Sequence, residues 1–120
     1  MCLPDELPGF DLSDALYRLM GNACLLREII LEFAENHAGM VEQIKDSMTV
    51  EDWDGVRRRI HSLKGVAGNI GAQDLARGAK DAELAFRERG LEGLKSTIPA
   101  LETAMEVVLT SAQVLKNFPG

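Results

Sequence analysis

Residues 61–71 read HSLKGVAGNIG: a histidine, a lysine three residues on, and three glycines, in a stretch whose apolar residues recur at helical spacing. An imidazole can shuttle a proton, bind a metal or attack an electrophile, and its neighbours decide which. On a helix the positions that meet His61 are three and four residues away, namely Arg57, Arg58, Lys64 and Gly65. With about 100° per residue and His61 set at zero, the apolar seam Trp53, Val56, Ile60, Leu63, Ala67 and Ile70 clusters near roughly −130°, and Gly68 falls at about −20°. His61 is therefore expected to face solvent or the edge of a neighbouring helix. It lies on a ribbon that combines an imidazole, cations and backbone without Cβ atoms.

A glycine inside a helix costs roughly 1 kcal/mol against alanine, so Gly65 and Gly68 together cost about 2 kcal/mol. That is a sizeable part of the roughly 5–15 kcal/mol that holds a domain together. Two explanations compete: close packing of another helix, or clearance for a large body that must reach His61. The core face lies elsewhere, which favours clearance. A neutral imidazole carries a free lone pair and can act as a nucleophile, and cations beside it would stabilise an anion attached to it, as a phosphoryl group would be. The plainer alternatives are solvated helix charges for Lys64 and the arginines, and an incidental His61 on a helical scaffold. No metal site is expected. HExxH is absent, and the second histidine, His37, lies on an apolar helix face where a packed or boundary residue belongs.

Five helical segments are predicted to position this ribbon. The first covers about 13–20, with Ser13 as N-cap and a break at Gly21 and Asn22. The second covers about 23–47, on Leu26, Ile29, Ile30, Phe33, His37, Met40, Val41 and Ile44, and ends in a turn at Met48-Thr49-Val50. Thr49 or Ser47 is available to cap the third segment, about 51–70, which Gly71 ends. The fourth, about 72–89, carries Leu75, Ala79, Ala82 and Phe86 on one face and stops at Gly90. The fifth, about 91–117, contains Pro99, so a kink or break is expected near Ile98. Long amphipathic helices with short connections pack antiparallel. The expected fold is all-α: an antiparallel up-and-down four-helix bundle over 13–117 with a short extra N-terminal helix. Residues 1–12, with Pro4, Pro8 and Gly9, read as an arm or linker, and 118–120 as a frayed end.

Composition narrows the function classes. The chain has 120 residues, 46% hydrophobic and 27% charged, with a formal net charge of −6. That is enough for one real core. The acidic balance disfavours nucleic acid and direct membrane contact as partners. No stretch is long and apolar enough to span a bilayer, and MCLPDELPGF has acids and prolines where a signal peptide has a basic start. Cys2 and Cys24 form no CxxC motif and are not expected to make a disulfide framework, so a reducing cytoplasm is the expected compartment.

The segment HSLKGVAGNIGA, with His61, Leu63, Lys64, Gly65, Gly71 and Ala72, resembles the histidine-containing phosphotransfer (HPt) domain of multistep two-component signalling. The likeness extends over FDLSDALYRLMGN, LLREIILEFAENHAGMVEQIKDSM and DLARGAKDAELAFRERG. The resemblance implies a four-helix bundle with no kinase or phosphatase activity of its own. It implies that His61 accepts a phosphoryl group from a receiver-domain aspartate and passes it to another receiver. Lys64 would stabilise the phosphoryl group and Gly65 would admit the receiver. Family members often carry Gln or Glu on the next helix, bonded to the other ring nitrogen, and Glu83 falls at that place. By spacing Glu83 sits about 70° off the centre of its apolar stripe. Gly68 departs from the small non-glycine residue many members have there. The implied partners are receiver (response regulator) domains and a sensor or hybrid histidine kinase, contacted by a monomer through Arg57, Arg58, Lys64, Gly65 and Gly68. No cofactor is expected on this chain, and Mg²⁺ is expected on the receiver. A related reading is the phosphorylatable domain of a chemotaxis-type kinase. Nothing in the sequence resembles an ATP site.

Overall fold

The computed structural model describes residues 1–119 and is all-helical there. The helices are α1 (Leu12–Arg18), α2 (Ala23–Asn36), α3 (Met40–Thr49), α4 (Trp53–Asn69) and α5 (Gln73–Lys116). A straight 44-residue helix would be about 66 Å long. The molecule's longest extent is 45 Å, so α5 must fold back on itself. It does so at Gly90, whose φ of 65° and ψ of −148° are not helical. Two arms result, 73–89 and 91–116, packed side by side. A Cβ placed on Gly78 would lie 3.3 Å from Leu101, and one placed on Gly93 would run into the Ala85 carbonyl. Each pair straddles Gly90 nearly evenly, which marks an antiparallel hairpin.

The expected four-helix bundle is therefore present, with α2 and α3 on one side, then α4, then the two arms of α5. The seam of α4 packs as its periodicity predicts: Val56, Ile60, Leu63, Ala67 and Ile70 are all buried, and Trp53 is half-buried. Leu75, Ala79, Ala82, Leu94, Leu101 and Leu115 face them with no measurable exposure. Complete removal of each such leucine side chain from water contributes about 1.5–3 kcal/mol, the main force holding the site's scaffold together.

Several sequence expectations need correcting. The single helix expected over 23–47 is broken at His37–Gly39, where α2 ends and α3 begins with Gly39 as an N-cap without a side-chain bond. Pro99 neither kinks nor breaks its arm in backbone angles; the departure is confined to Gly90. The caps are also different residues. Asp11, not Ser13, accepts from Asp14 N, and Asp52, not Thr49 or Ser47, accepts from Gly55 N at 3.0 Å. Thr49 instead bonds back to the Lys45 carbonyl, and Ser47 accepts from Arg59 Nε at 3.0 Å.

The first dozen residues are not a free linker. Leu3, Leu7 and Phe10 are buried in the common core. Ser111 Oγ donates to the Pro8 carbonyl at 2.6 Å, and Arg27 reaches the Cys2 carbonyl. Cys2 and Cys24 form a disulfide, contrary to expectation, and tie this arm to the first turn of α2. At the other end Phe118 is half-buried against the core instead of frayed, while Gly120 lies outside the described residues.

Candidate functional site

α4 and the first arm of α5 run antiparallel, and their contacts step in opposite directions along the two elements. Trp53 meets Phe86 (ring centroids 5.9 Å apart), and further along α4 His61 meets Glu83. The hairpin is set by Gly71, whose φ of 77° reverses the chain after α4, and by Asp11 N, which donates to the Gly71 carbonyl at 2.7 Å. That closure fixes which turn of α5 lies opposite His61.

The imidazole of His61 is 73% exposed, as the rotation of the α4 seam predicts. Its Nδ1 lies 3.2 Å from Glu83 Oε2. The other carboxylate oxygen of Glu83, Oε1, accepts from Lys64 Nζ at 2.8 Å. Glu83 thus bridges His61 and Lys64 of α4 from the neighbouring arm. The Lys64 ammonium bonded to it holds the Glu83 carboxyl below its ordinary range, against the opposing pull of burial, and the His61 contact adds to the lowering. An ionised carboxylate can only accept, so Nδ1 must carry the proton that joins it to Glu83. In the neutral ring the lone pair is then on Nε2, which points away from the brace.

Gly65 is exposed and Gly68 half-buried, and a Cβ built on either meets nothing within 4 Å. Close packing of another helix therefore does not explain them; the space beside His61 is open. The arginines divide. Arg57 lies over the Phe86 ring, 5.1 Å from its centroid, and pairs with Asp54 at 3.3 Å, whereas Arg58 is exposed without an ion pair among the described residues. His37, in contrast, is half-buried, with its ring 5.5 Å from Phe33.

His61, Lys64, Gly65 and Glu83 therefore come together, with Gly68 on the same ribbon and Arg57 at its edge. Sequence reading missed two features. One is that Lys64 donates to Glu83. The other is that Phe86 and Arg87 border the site beside Glu83. The spacing places Arg87 one helical turn beyond Glu83, but only the register of α4 against α5 brings either residue to the site.

A family model described as the Hpt domain matches residues 28–111, a stretch that runs from α2 into the second arm of α5 and includes the whole site. Searches among curated proteins and among solved structures gave no match.

Proposed function

The chain belongs to the Hpt domain family, and from that premise we propose that His61 accepts a phosphoryl group from the aspartate of one receiver domain and delivers it to the aspartate of another. Family membership makes the domain a phosphocarrier of phosphorelays and not a kinase. The receiver-to-receiver direction and the residue roles are our reading. The observation that carries it is the Glu83 bridge, which leaves a single open nitrogen on an exposed ring.

In the forward step Nε2 attacks the phosphorus of an aspartyl phosphate. The N–P bond forms, the P–O bond to the aspartate breaks, and the carboxylate leaves with the electron pair. Glu83 stabilises the charge that develops on the ring through Nδ1–H. Lys64 is one helical turn from the acceptor and can turn toward the phosphoryl oxygens. Phosphoryl transfer needs mainly alignment and charge neutralisation, and the Mg²⁺ used for it belongs to the receiver. Arg57, Arg58, Gly65 and Gly68 form the face that the receiver meets. The domain acts as a monomer, alone or as a module of a hybrid kinase.

The working compartment we assign is the cytoplasm, where receivers act. No described helix is long and apolar enough to cross a membrane. The Cys2–Cys24 disulfide is the feature that pulls against a reducing compartment. A count of free thiols on protein trapped directly from cells decides that point: two free thiols fit the cytoplasmic assignment, and none opposes it.

The test uses a receiver carrying radiolabelled aspartyl phosphate. Label moves to the domain and behaves as a phosphoramidate, labile in acid and stable in base. His61→Gln abolishes the transfer while the bundle stays folded. Unchanged transfer in that variant overturns the reading. Labelling from an ATP-loaded kinase core, with none from any receiver, would assign the domain to a chemotaxis-type kinase instead.

A further inference from the structure

Charge is divided unevenly between the two halves of the bundle. α4 and the 73–89 arm of α5 hold eight Lys and Arg against five Asp and Glu, a net of +3 on a chain whose total is −6; the remainder carries −9. Intrahelical pairs consume part of that excess, since Arg57 meets Asp54 and Arg77 meets Asp74. Arg87 has no ion-pair partner among the described residues.

Arg87 and Arg57 stand at a cleft of ≈ 360 Å³ whose other lining residues are Ile60, Phe86 and Glu83. The cleft adjoins His61 from two directions. Arg57 lies one helical turn before the histidine on α4, and Glu83, which holds Nδ1, forms part of its wall. Its base is apolar. Ile60 is buried, and the Phe86 ring is packed against Trp53 on one side and the Arg57 guanidinium on another. The Arg57–Asp54 pair is solvent-exposed and therefore weak, so a carboxylate from outside can take over Arg57 at little cost.

We propose that this cleft is where an acidic segment of the receiver docks, with an apolar side chain set against Phe86 and flanking carboxylates on Arg57 and Arg87. Arg87 is then a specificity-determining residue for receiver choice. The assignment rests on the phosphotransfer reading above and adds a location to it. An apolar centre with a charged rim is the usual composition of a specific contact. Rim charges act mainly on the encounter rate, and salt weakens them. On an acidic chain a local cationic face also orients the approach, because an acidic partner is repelled from the other side.

The test measures transfer from phosphorylated receivers to the full chain at low and high salt for wild type, Arg87→Glu and Lys116→Glu. The last has the same charge change at the far end of α5. In parallel, His61 is phosphorylated directly by phosphoramidate, a small donor that needs no docking. Arg87→Glu is expected to lower kcat/KM about tenfold at low salt, through KM with kcat unchanged, and the deficit should shrink at high salt. Lys116→Glu and the phosphoramidate reaction should match wild type. If wild type takes up label from receivers and Arg87→Glu equals Lys116→Glu, the cleft is overturned and the phosphotransfer reading stands. If phosphoramidate labels His61 but no receiver does, both fall together.

Discussion

Gly65 and Gly71 lie six residues apart, one beside His61 in the middle of α4 and the other at the turn into α5. A Cβ on Gly71 would press to 2.8 Å from both the Ala15 side chain and the Asp11 carbonyl oxygen, and its φ of 77° is one that side chains resist. A Cβ on Gly65 would meet nothing. Gly71 is therefore required by the fold, because it lets α1 and the preceding loop sit directly on the α4–α5 turn. Gly65 is not required by the fold and lowers its stability. No internal contact accounts for its cost, and the role proposed for it is clearance for a partner outside the chain. The same contrast separates Gly93, crowded against the Ala85 carbonyl, from Gly68.

The largest expected effect that sharpens this contrast is in Gly71→Ala. The unfavourable φ and the clash with backbone together should cost about 2 kcal/mol or more, read as a drop in the denaturation midpoint. Phosphotransfer per folded molecule should fall less than in a variant that removes Glu83, since Gly71 acts on the site only through the α4–α5 closure and does not touch the imidazole. A variant that kept full stability would remove the distinction from the structural side.

Next in size is the brace. Glu83→Ala leaves Nδ1 and Lys64 without their common acceptor, and we expect transfer to slow by about tenfold through lost orientation. Glu83→Gln keeps an acceptor oxygen for Nδ1 and should recover most of that loss. Nitrogen NMR of His61 gives an independent readout: the Nδ1–H tautomer dominates in wild type and loses its preference in Glu83→Ala. The pH dependence has a definite sign. Lys64 lowers the Glu83 pKa, so the brace is fully present above the ordinary glutamate value of about 4.3 and is lost only as pH falls through the lowered value. Near neutral pH, Glu83 should contribute no titration of its own to the rate.

What was legible in the sequence follows the same division. The α4 seam and the outward turn of His61 came directly from 3.6-residue periodicity, because one helix face must be buried and the other cannot be. The break at His37–Gly39 was hidden for the same reason: His37, Met40 and Val41 continue the apolar spacing across it. Pro99 leaves its arm helical, whereas Gly90 stops the fourth segment as its position predicts. Proline removes one donor and fixes a φ that a helix already uses, whereas the left-handed φ at Gly90 ends helical geometry outright. The burial of Leu3, Leu7 and Phe10 runs against the linker signal of the prolines among them, and their spacing of four and three is the sequence feature that agrees with it. The pairing of Cys2 with Cys24 had no local signal, since it depends on where the arm crosses α2. Within the site, the His61–Glu83 contact came from family resemblance. The Lys64–Glu83 bond and the Arg87 cleft depend on the register of two helices, which no single-helix pattern contains.

The smallest expected effect tests the contrast most directly, because its two readouts move in opposite directions. Gly65→Ala adds a methyl group to an exposed face of α4 where there is room for it. Helix propensity alone should stabilise the bundle by roughly 1 kcal/mol. If Gly65 is there to let a receiver approach, the same methyl group should slow receiver transfer several-fold while leaving direct phosphorylation by phosphoramidate unaffected. A variant that gains stability and transfers at the wild-type rate would show that the bare backbone is not a docking requirement, and the clearance assigned to Gly68 would be withdrawn with it. A gain in stability paired with a loss in receiver transfer points to an external partner, because among the described residues no atom beyond the adjacent residues and the local backbone of α4 lies within 4 Å of the added methyl group.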